Sequence, residues 1–322
     1  MLPINAANAR VWSMLGSRGT FGVAMLDLGA TADDLMVLTA DLSTTSGLDR
    51  FRSTYPAKFV NVGIAEPNMI GVAAGLAKEG NVVFATTFAT FAAMRSYEQV
   101  RLNLGYMGLN VKVVGLASGF AMGMFGNTHY GMEDLALMRA VPGLTVLSPA
   151  DGAAVVKMVH AAYRHKGPVY IRLTGAMGNP VVYKQDFDLE IGKAITPCEG
   201  ADLTIIATGT MVYESMVAAR LLKEDGISAT VVDMHTIKPL DTSAVDRACA
   251  TSKLIVTVEE HGIIGGLGGA VAEYKAGLKQ SPRQVFIGIP DRFGKAGDYK
   301  YLLGKYGLTG AQIAERIAKE LE

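Results

Sequence analysis

Phe59-Val60-Asn61-Val62-Gly63-Ile64-Ala65-Glu66-Pro67-Asn68-Met69 runs directly into Ile70-Gly71-Val72-Ala73-Ala74-Gly75-Leu76. A short β-branched run, a glycine, one carboxylate and an apolar helical pattern read as strand, turn and buried helix. That is the repeating unit of a parallel sheet wrapped by helices. Glu66 is the only charge between two segments bound for burial, and a lone carboxylate there needs a dedicated partner. The plain structural alternative is a glutamate at a helix start, stabilised by the helix dipole.

The same unit recurs on both sides of this stretch. Residues 35–40, 59–62, 82–85, 111–116, 144–147 and 169–173 read as strands, and 10–30, 66–78, 88–104, 132–140 and 150–165 as helices. Polar sequence with Pro and Gly then reads as a linker over residues 179–192. A second pattern follows, with strands at 203–209, 229–234 and 254–258 and helices at 211–225, 242–250, 268–278 and 309–321, the last opening at Thr309. The expected fold class is α/β, with two doubly wound domains: a mainly parallel domain over residues 1–178 and a smaller one over 193–322.

Composition narrows the function. The chain has 322 residues, half of them hydrophobic, and its formal charges sum to zero. Two domain-sized cores fit this length, and without a basic block no nucleic-acid partner is expected. Apolar runs such as Val111-Lys112-Val113-Val114-Gly115-Leu116-Ala117 are too short to span a bilayer, and no export signal is recognisable, so a cytoplasmic protein without a membrane partner is expected. Cys198 and Cys249 fall in no metal or redox spacing.

Twenty residues beyond Glu66 the chain reads Thr86-Thr87-Phe88-Ala89-Thr90-Phe91, then Met94-Arg95-Ser96-Tyr97-Glu98-Gln99-Val100-Arg101. Phe88 and Phe91 at helical spacing are ordinary core residues on periodicity alone. A carboxylate with aromatic faces beside it nevertheless suits a flat nitrogen heterocycle, which wants one hydrogen-bond partner and a stacking surface. Gly126-Asn127-Thr128-His129, Glu133-Asp134-Leu135, Val141-Pro142-Gly143-Leu144 and Ser148-Pro149-Ala150-Asp151 follow in order. Val258-Glu259-Glu260-His261-Gly262-Ile263-Ile264-Gly265-Gly266-Leu267-Gly268 and Ile289-Pro290-Asp291-Arg292-Phe293-Gly294 lie further on. Taken collinearly, from Arg18 to Leu321, these motifs resemble the transketolase family of thiamine diphosphate enzymes, specifically its pyrimidine-binding and C-terminal domains.

The resemblance implies roles. Glu66 would hydrogen-bond the cofactor aminopyrimidine and so initiate catalysis, and His129 would act beside the substrate's reacting oxygens. Phe88 and Phe91 would stack on the ring, with Met94 at the pocket edge and Asp41 near the cofactor. Arg18 would grip a substrate phosphate. The family's diphosphate-binding domain, with its Gly-Asp-Gly and downstream Asn for Mg2+, has no counterpart in this chain. The resemblance therefore implies one subunit of a split transketolase, without a metal site of its own, that needs a diphosphate-binding N-terminal subunit and a second copy of itself, as a heterotetramer. Such an enzyme moves a two-carbon ketol unit from a ketose to an aldose sugar.

Three departures bear on the substrate. Phe125 stands where the family carries an Asp that reads a substrate hydroxyl. Leu173-Thr174-Gly175-Ala176 lacks the family's phosphate-gripping arginine, and Pro67 replaces a Gln. Alternatives are a subunit resembling deoxyxylulose-phosphate synthase or the 2-oxoacid dehydrogenase beta chain, and a non-catalytic partner subunit. Arg95 and Arg101 read as structural cations paired with local carboxylates. Gly265-Gly266-Leu267-Gly268-Gly269 does not match the dinucleotide spacing and reads as a tight turn into a packed helix.

Overall fold

The computed structural model describes residues 1–322. In chain order, the first part comprises α1 (Ala6–Gly29), β1 (Leu35–Thr39), α2 (Asp49–Thr54), β2 (Phe59–Asn61), α3 (Glu66–Lys78), β3 (Val82–Phe88), α4 (Tyr97–Gln99), β4 (Val111–Ser118), α5 (Asp134–Ala140), β5 (Thr145–Leu147), α6 (Gly152–Arg164) and β6 (Val169–Thr174). The second comprises β7 (Ile195–Cys198), β8 (Leu203–Ala207), α7 (Met211–Glu224), β9 (Ala229–Asp233), β10 (Thr236–Lys238), α8 (Thr242–Thr251), β11 (Leu254–Gly262), α9 (Leu267–Lys275), β12 (Arg283–Ile289), α10 (Tyr299–Lys305) and α11 (Gly310–Leu321). No helix is long and apolar enough to cross a membrane.

These strands build two mainly parallel sheets with helices on both faces. The first has the order β10-β5-β6-β4-β3-β1-β2 and the second β12-β11-β8-β9-β7. Only β10 and β7 run antiparallel to their neighbours. β3, β4 and β6 are buried along their whole length, which is why they read as continuous apolar runs without alternation. Successive side chains nevertheless serve opposite cores. Leu35, Val37, Phe84, Val114 and Ile171 face α1 and α6, whereas Leu38, Val83, Ala85 and Val113 face α3 and the helical stretch after β3. Each fully buried Phe or Leu contributes roughly 1.5–3 kcal/mol.

The topology dictates where a ligand can sit. From β1 the chain moves outward to β2 on one side and to β3 and β4 on the other, so the strand order reverses between β1 and β3. Carboxyl ends of strands at such a reversal leave a crevice between diverging connections. Phe88 is the carboxyl end of β3, and Asp41, Glu66 and His129 follow the carboxyl ends of β1, β2 and β4.

A buried polar seam joins the two parts. Arg172 Nε donates to both oxygens of Asp134 (3.0 and 2.9 Å), and its Nη2 to the carbonyls of Gly131 (2.9 Å) and Glu260 (2.8 Å). Glu260 accepts from the Phe120 backbone N–H (2.7 Å), the Thr210 hydroxyl and the Tyr299 hydroxyl (2.8 Å each). Burial raises the Glu260 pKa, although these donors and Arg172 oppose the rise. His261 Nε2 accepts from the Leu135 N–H at the start of α5 (3.2 Å), while its Nδ1 faces the Gly262 carbonyl (2.7 Å). β10 also crosses over, pairing with β5 of the first sheet. The loop from Gly119 to Glu133 is thus fixed largely by the second part of the chain.

Two local expectations are corrected. Phe88 does not open a helix: it ends β3. The expected helix over residues 88–104 is instead wide-turned at Phe91–Arg95 and at Val100–Tyr106, on either side of the short α4. Such widened turns insert a residue without breaking the helix and re-aim the side chains around it. Strands β7, β10 and β12, with α2 and α10, are also absent from the sequence reading. β10 has only three residues before Pro239, and it becomes a strand because the first sheet offers it an edge.

Candidate active site

Glu66 is the first residue of α3 and is only 2% exposed. Gly63 makes the turn that delivers it, with φ of +75°, a left-handed conformation that glycine adopts without penalty. Pro67 then occupies the first helical turn, where its missing N–H has no partner to lose and its fixed φ suits the helix. The departure from the family's Gln is therefore a sound helix start. The dipole of α3 favours the negative charge of Glu66.

The turn is braced from β1. Asn61 accepts from the backbone N–H groups of Asp41 and Gly63 (3.0 Å each), and its amide donates to the Asp41 carboxylate (3.0 Å). Asp41 itself has φ of +59°, and Ala117, at the end of β4, has φ of +53°. For residues with a Cβ this conformation costs about 1–2 kcal/mol each. Asp41 and Ala117 are the only such residues besides glycine, and both lie at carboxyl ends of strands next to this crevice.

Four of the expected residues come together as rings. Phe88 and Phe91 meet edge-on with centroids 5.9 Å apart. His129 packs edge-on against both, at 5.8 and 5.5 Å, and Phe125 tilts onto His129 at 5.0 Å. Phe88 is buried, Phe91 and His129 are half-buried, and Phe125 is exposed. His129 Nδ1 lies 2.9 Å from the Thr128 hydroxyl, which leaves Nε2 without a protein partner. Asn127 exchanges two hydrogen bonds with Gly294 (2.6 and 3.1 Å), and the Tyr130 hydroxyl donates to the Gly123 and Lys295 carbonyls (3.0 Å each). These bonds fix the His129 loop from both sides.

The cation on this site is Arg95. Its Nη1 donates to both Glu66 oxygens (2.8 and 2.9 Å), and its guanidinium lies over the Phe91 ring, 4.1 Å from the centroid. The local carboxylate expected for Arg95 is therefore Glu66 itself, a coupling that sequence spacing of 29 residues does not reveal. Arg101, expected to pair likewise, is exposed and has no carboxylate partner. Met94 is exposed at the rim, where the Thr90 hydroxyl reaches its sulfur (3.6 Å). Arg18 sits half-buried on α1 with no ion pair or hydrogen bond to its guanidinium, and burial lowers its pKa. No contact joins Arg18 to the ring cluster.

Two other features are excluded from this site by their surroundings. Arg172, next to the position where the family places a phosphate-gripping arginine, is wholly buried and committed to Asp134. The glycine run after β11 is a packed turn. A Cβ on Gly266 would overlap the Glu259 carboxylate, which accepts from the N–H groups of Leu267 (2.7 Å) and Gly268 (2.9 Å) at the start of α9. The seat a phosphate would need is filled by Glu259. No group of three His, Cys, Asp or Glu side chains is placed to hold a metal ion.

The residues present fit an aminopyrimidine. A buried carboxylate already holds a flat, N–H-donating group against an aromatic face, which are the contacts such a ring requires.

Comparison with known proteins places these features in a family. Residues 14–178 match the family model "Transketolase, pyrimidine binding domain", and residues 192–313 match "Transketolase, C-terminal domain". A putative transketolase C-terminal section from Methanocaldococcus jannaschii is 42% identical over 309 residues, covering 95% of this chain and 96% of that protein. A 6-deoxy-6-sulfo-D-fructose transketolase subunit from Clostridium sp. (strain MSTE9) is 41% identical over 304 residues, covering 94% of each. A solved structure described as a split-gene transketolase, inactive beta4 tetramer, superposes with a TM-score of 0.85 at 40% identity, covering 94% of this chain and 97% of that one.

Proposed function

The chain belongs to the transketolase family, and we propose that it is the pyrimidine-binding subunit of a split, thiamine diphosphate-dependent transketolase. The observation that carries this reading is the buried Glu66 carboxylate at the strand-order reversal, joined through Arg95 to Phe91 of the Phe88, Phe91 and His129 ring cluster. When bound, the cofactor supplies the chemistry that breaks and remakes a carbon–carbon bond beside a carbonyl. Glu66 would hold the aminopyrimidine through its carboxylate and share a proton with the ring nitrogen. Phe88 and Phe91 orient the ring and exclude water from it, with Met94 at the rim. Asp41 and Asn61 hold the Glu66 turn in register. His129, oriented by Thr128, offers Nε2 to hold or move a proton at a substrate hydroxyl.

Substrates follow from the rim. Phe125 cannot accept a hydrogen bond, so the site favours sugars that do not present a hydroxyl there for recognition. The unpaired Arg18 is the available cation for an anionic substituent on the sugar. A relative of similar length acts as a subunit on a sulfonated fructose, which supports a ketose donor with an anionic end. The diphosphate and its Mg2+ fall to a separate N-terminal subunit. The beta4 assembly of the related split-gene protein is described as inactive, which supports both self-association and the need for that subunit.

The test is reconstitution. This chain and its N-terminal partner, mixed with thiamine diphosphate and Mg2+, should transfer a two-carbon unit between a ketose and an aldose, and neither alone should. Glu66→Ala should reduce turnover at least a thousandfold with an unchanged circular dichroism spectrum. Near-normal turnover in that variant would end the assignment.

A further inference from the structure

We propose that Arg95 is a resident occupant of the aminopyrimidine position, held there by Glu66 and Phe91, and that it must leave before the cofactor ring can enter. This inference rests on the assignment of Glu66 and Phe91 to the ring in the preceding section. It adds a residue to that site which competes for it.

The geometry is that of a bound ligand. A guanidinium is planar, positively charged and edged with N–H donors. Here one of its nitrogens contacts both oxygens of Glu66 at 2.8 and 2.9 Å while its central carbon lies over the Phe91 ring, 4.1 Å from the centroid. An aminopyrimidine sharing a proton with Glu66 would need the same carboxylate oxygens and the same aromatic surface. The two occupants are mutually exclusive.

The supports on the two sides are unequal. Glu66 is buried, and no other cation or hydrogen-bond donor reaches its carboxylate. Leaving it unpartnered would strand a charge away from water. Arg95 is about half exposed, with a side-chain exposure of 47%, and bonds to no other side chain. It can swing outward into solvent from the widened turn at Phe91–Arg95, giving up only its contacts with Glu66 and Phe91. Arg95 therefore compensates Glu66 while the subunit lacks cofactor. Its displacement ties cofactor capture to whatever else holds the cofactor in place. An isolated subunit, holding only the pyrimidine half of the site, would bind the ring weakly because it must first expel its own arginine.

The experiment uses the full chain without its partner and thiamine as the probe, so that no diphosphate contributes. Titration calorimetry would compare the wild type with Arg95→Ala and with Arg95→Gln, which keeps one neutral donor for Glu66. Arg95→Ala should bind thiamine at least tenfold more tightly than the wild type, with Arg95→Gln in between. Thermal melts verify that each variant is folded, and Arg95→Gln decides the matter if Arg95→Ala is not. Thiamine binding by the folded variants that is no tighter than wild type, or absent, overturns the proposal, because a purely structural arginine would change the melt and not the affinity. The double variant Glu66→Ala/Arg95→Ala separates the two readings. Loss of the gained affinity supports both, whereas affinity retained without Glu66 shows that the ring is held elsewhere and sinks the underlying assignment as well.

Discussion

Replacing Asp134 by Ala should unlock the seam that holds the two parts of the chain together. Asp134 accepts two bonds from Arg172 Nε and one from the Tyr170 hydroxyl (2.8 Å), and both partners are wholly buried. Burial alone would push the Arg172 guanidinium towards neutrality, but the fields of Asp134 and Glu260 override it and raise its pKa. Without Asp134 the charge remains, still bound to two backbone carbonyls, and loses its only direct ion-pair partner. Removing one member of a buried pair costs about 3–5 kcal/mol, and an orphaned buried hydroxyl about 1–3 kcal/mol. The two losses share one network and do not add fully, so a total of about 5 kcal/mol is expected. That is a large share of the roughly 5–15 kcal/mol of a natural domain. With a slope of about 3 kcal/mol per molar urea, the midpoint should fall by more than 1 M. Asp134→Asn keeps an acceptor and removes only the charge, so it should lose roughly half as much. Urea unfolding followed by tryptophan fluorescence of Trp12 measures both. A loss below about 1 kcal/mol in Asp134→Ala, or none in Asp134→Asn, would refute the electrostatic account of the seam.

Other consequences concern pH and specificity. Burial pushes the Asp233 carboxyl up to about 7, so between roughly pH 4 and 7 the folded chain holds a proton that the unfolded chain has lost. Stability contributed by this group therefore falls as pH rises through that window; the fall should be present in the wild type and absent from Asp233→Asn, so the difference between their urea midpoints should shrink from about pH 4 to 7. Lys112 acts in the opposite sense: its ammonium is buried in β4 against Asn110, the His165 carbonyl and the Gly167 carbonyl, and burial pushes its pKa down to about 7. Between about pH 7 and 10 the unfolded chain holds the extra proton, so stability should rise there in the wild type and not in Lys112→Met. Phe125→Asp should restore an acceptor next to His129 and raise kcat/KM for an acceptor sugar with a free hydroxyl at least tenfold over one without it. An unchanged ratio in the reconstituted enzyme would remove Phe125 from substrate selection.

In the candidate site, Glu66 was legible locally, as a lone carboxylate between two apolar segments, whereas Phe88, Phe91 and His129 stood out through the family resemblance, and their rings do meet. Asp41 proved to brace the Glu66 turn through Asn61, a link that spacing does not show. Arg18 was legible as a candidate only through family resemblance, and the structure leaves it unpaired and apart from the rings.

What the sequence determined by itself was the alternation of apolar strands and amphipathic helices, and with it two parallel-sheet units, because burial on both faces imposes that pattern locally. Tertiary structure alone decided three things. It ended β3 at Phe88 and widened the following helix, where Arg95 lies over Phe91 and pairs with Glu66, 29 residues before it. It turned residues 236–238 into an edge strand of the other sheet, because an open edge was available. It gave Glu259, Glu260 and His261 to a helix cap, the Phe120 loop and α5. The physical reason is common to all three. Propensity and periodicity act over a few neighbouring residues, whereas a buried charge takes whichever partner the fold brings within about 3 Å, at any distance along the chain.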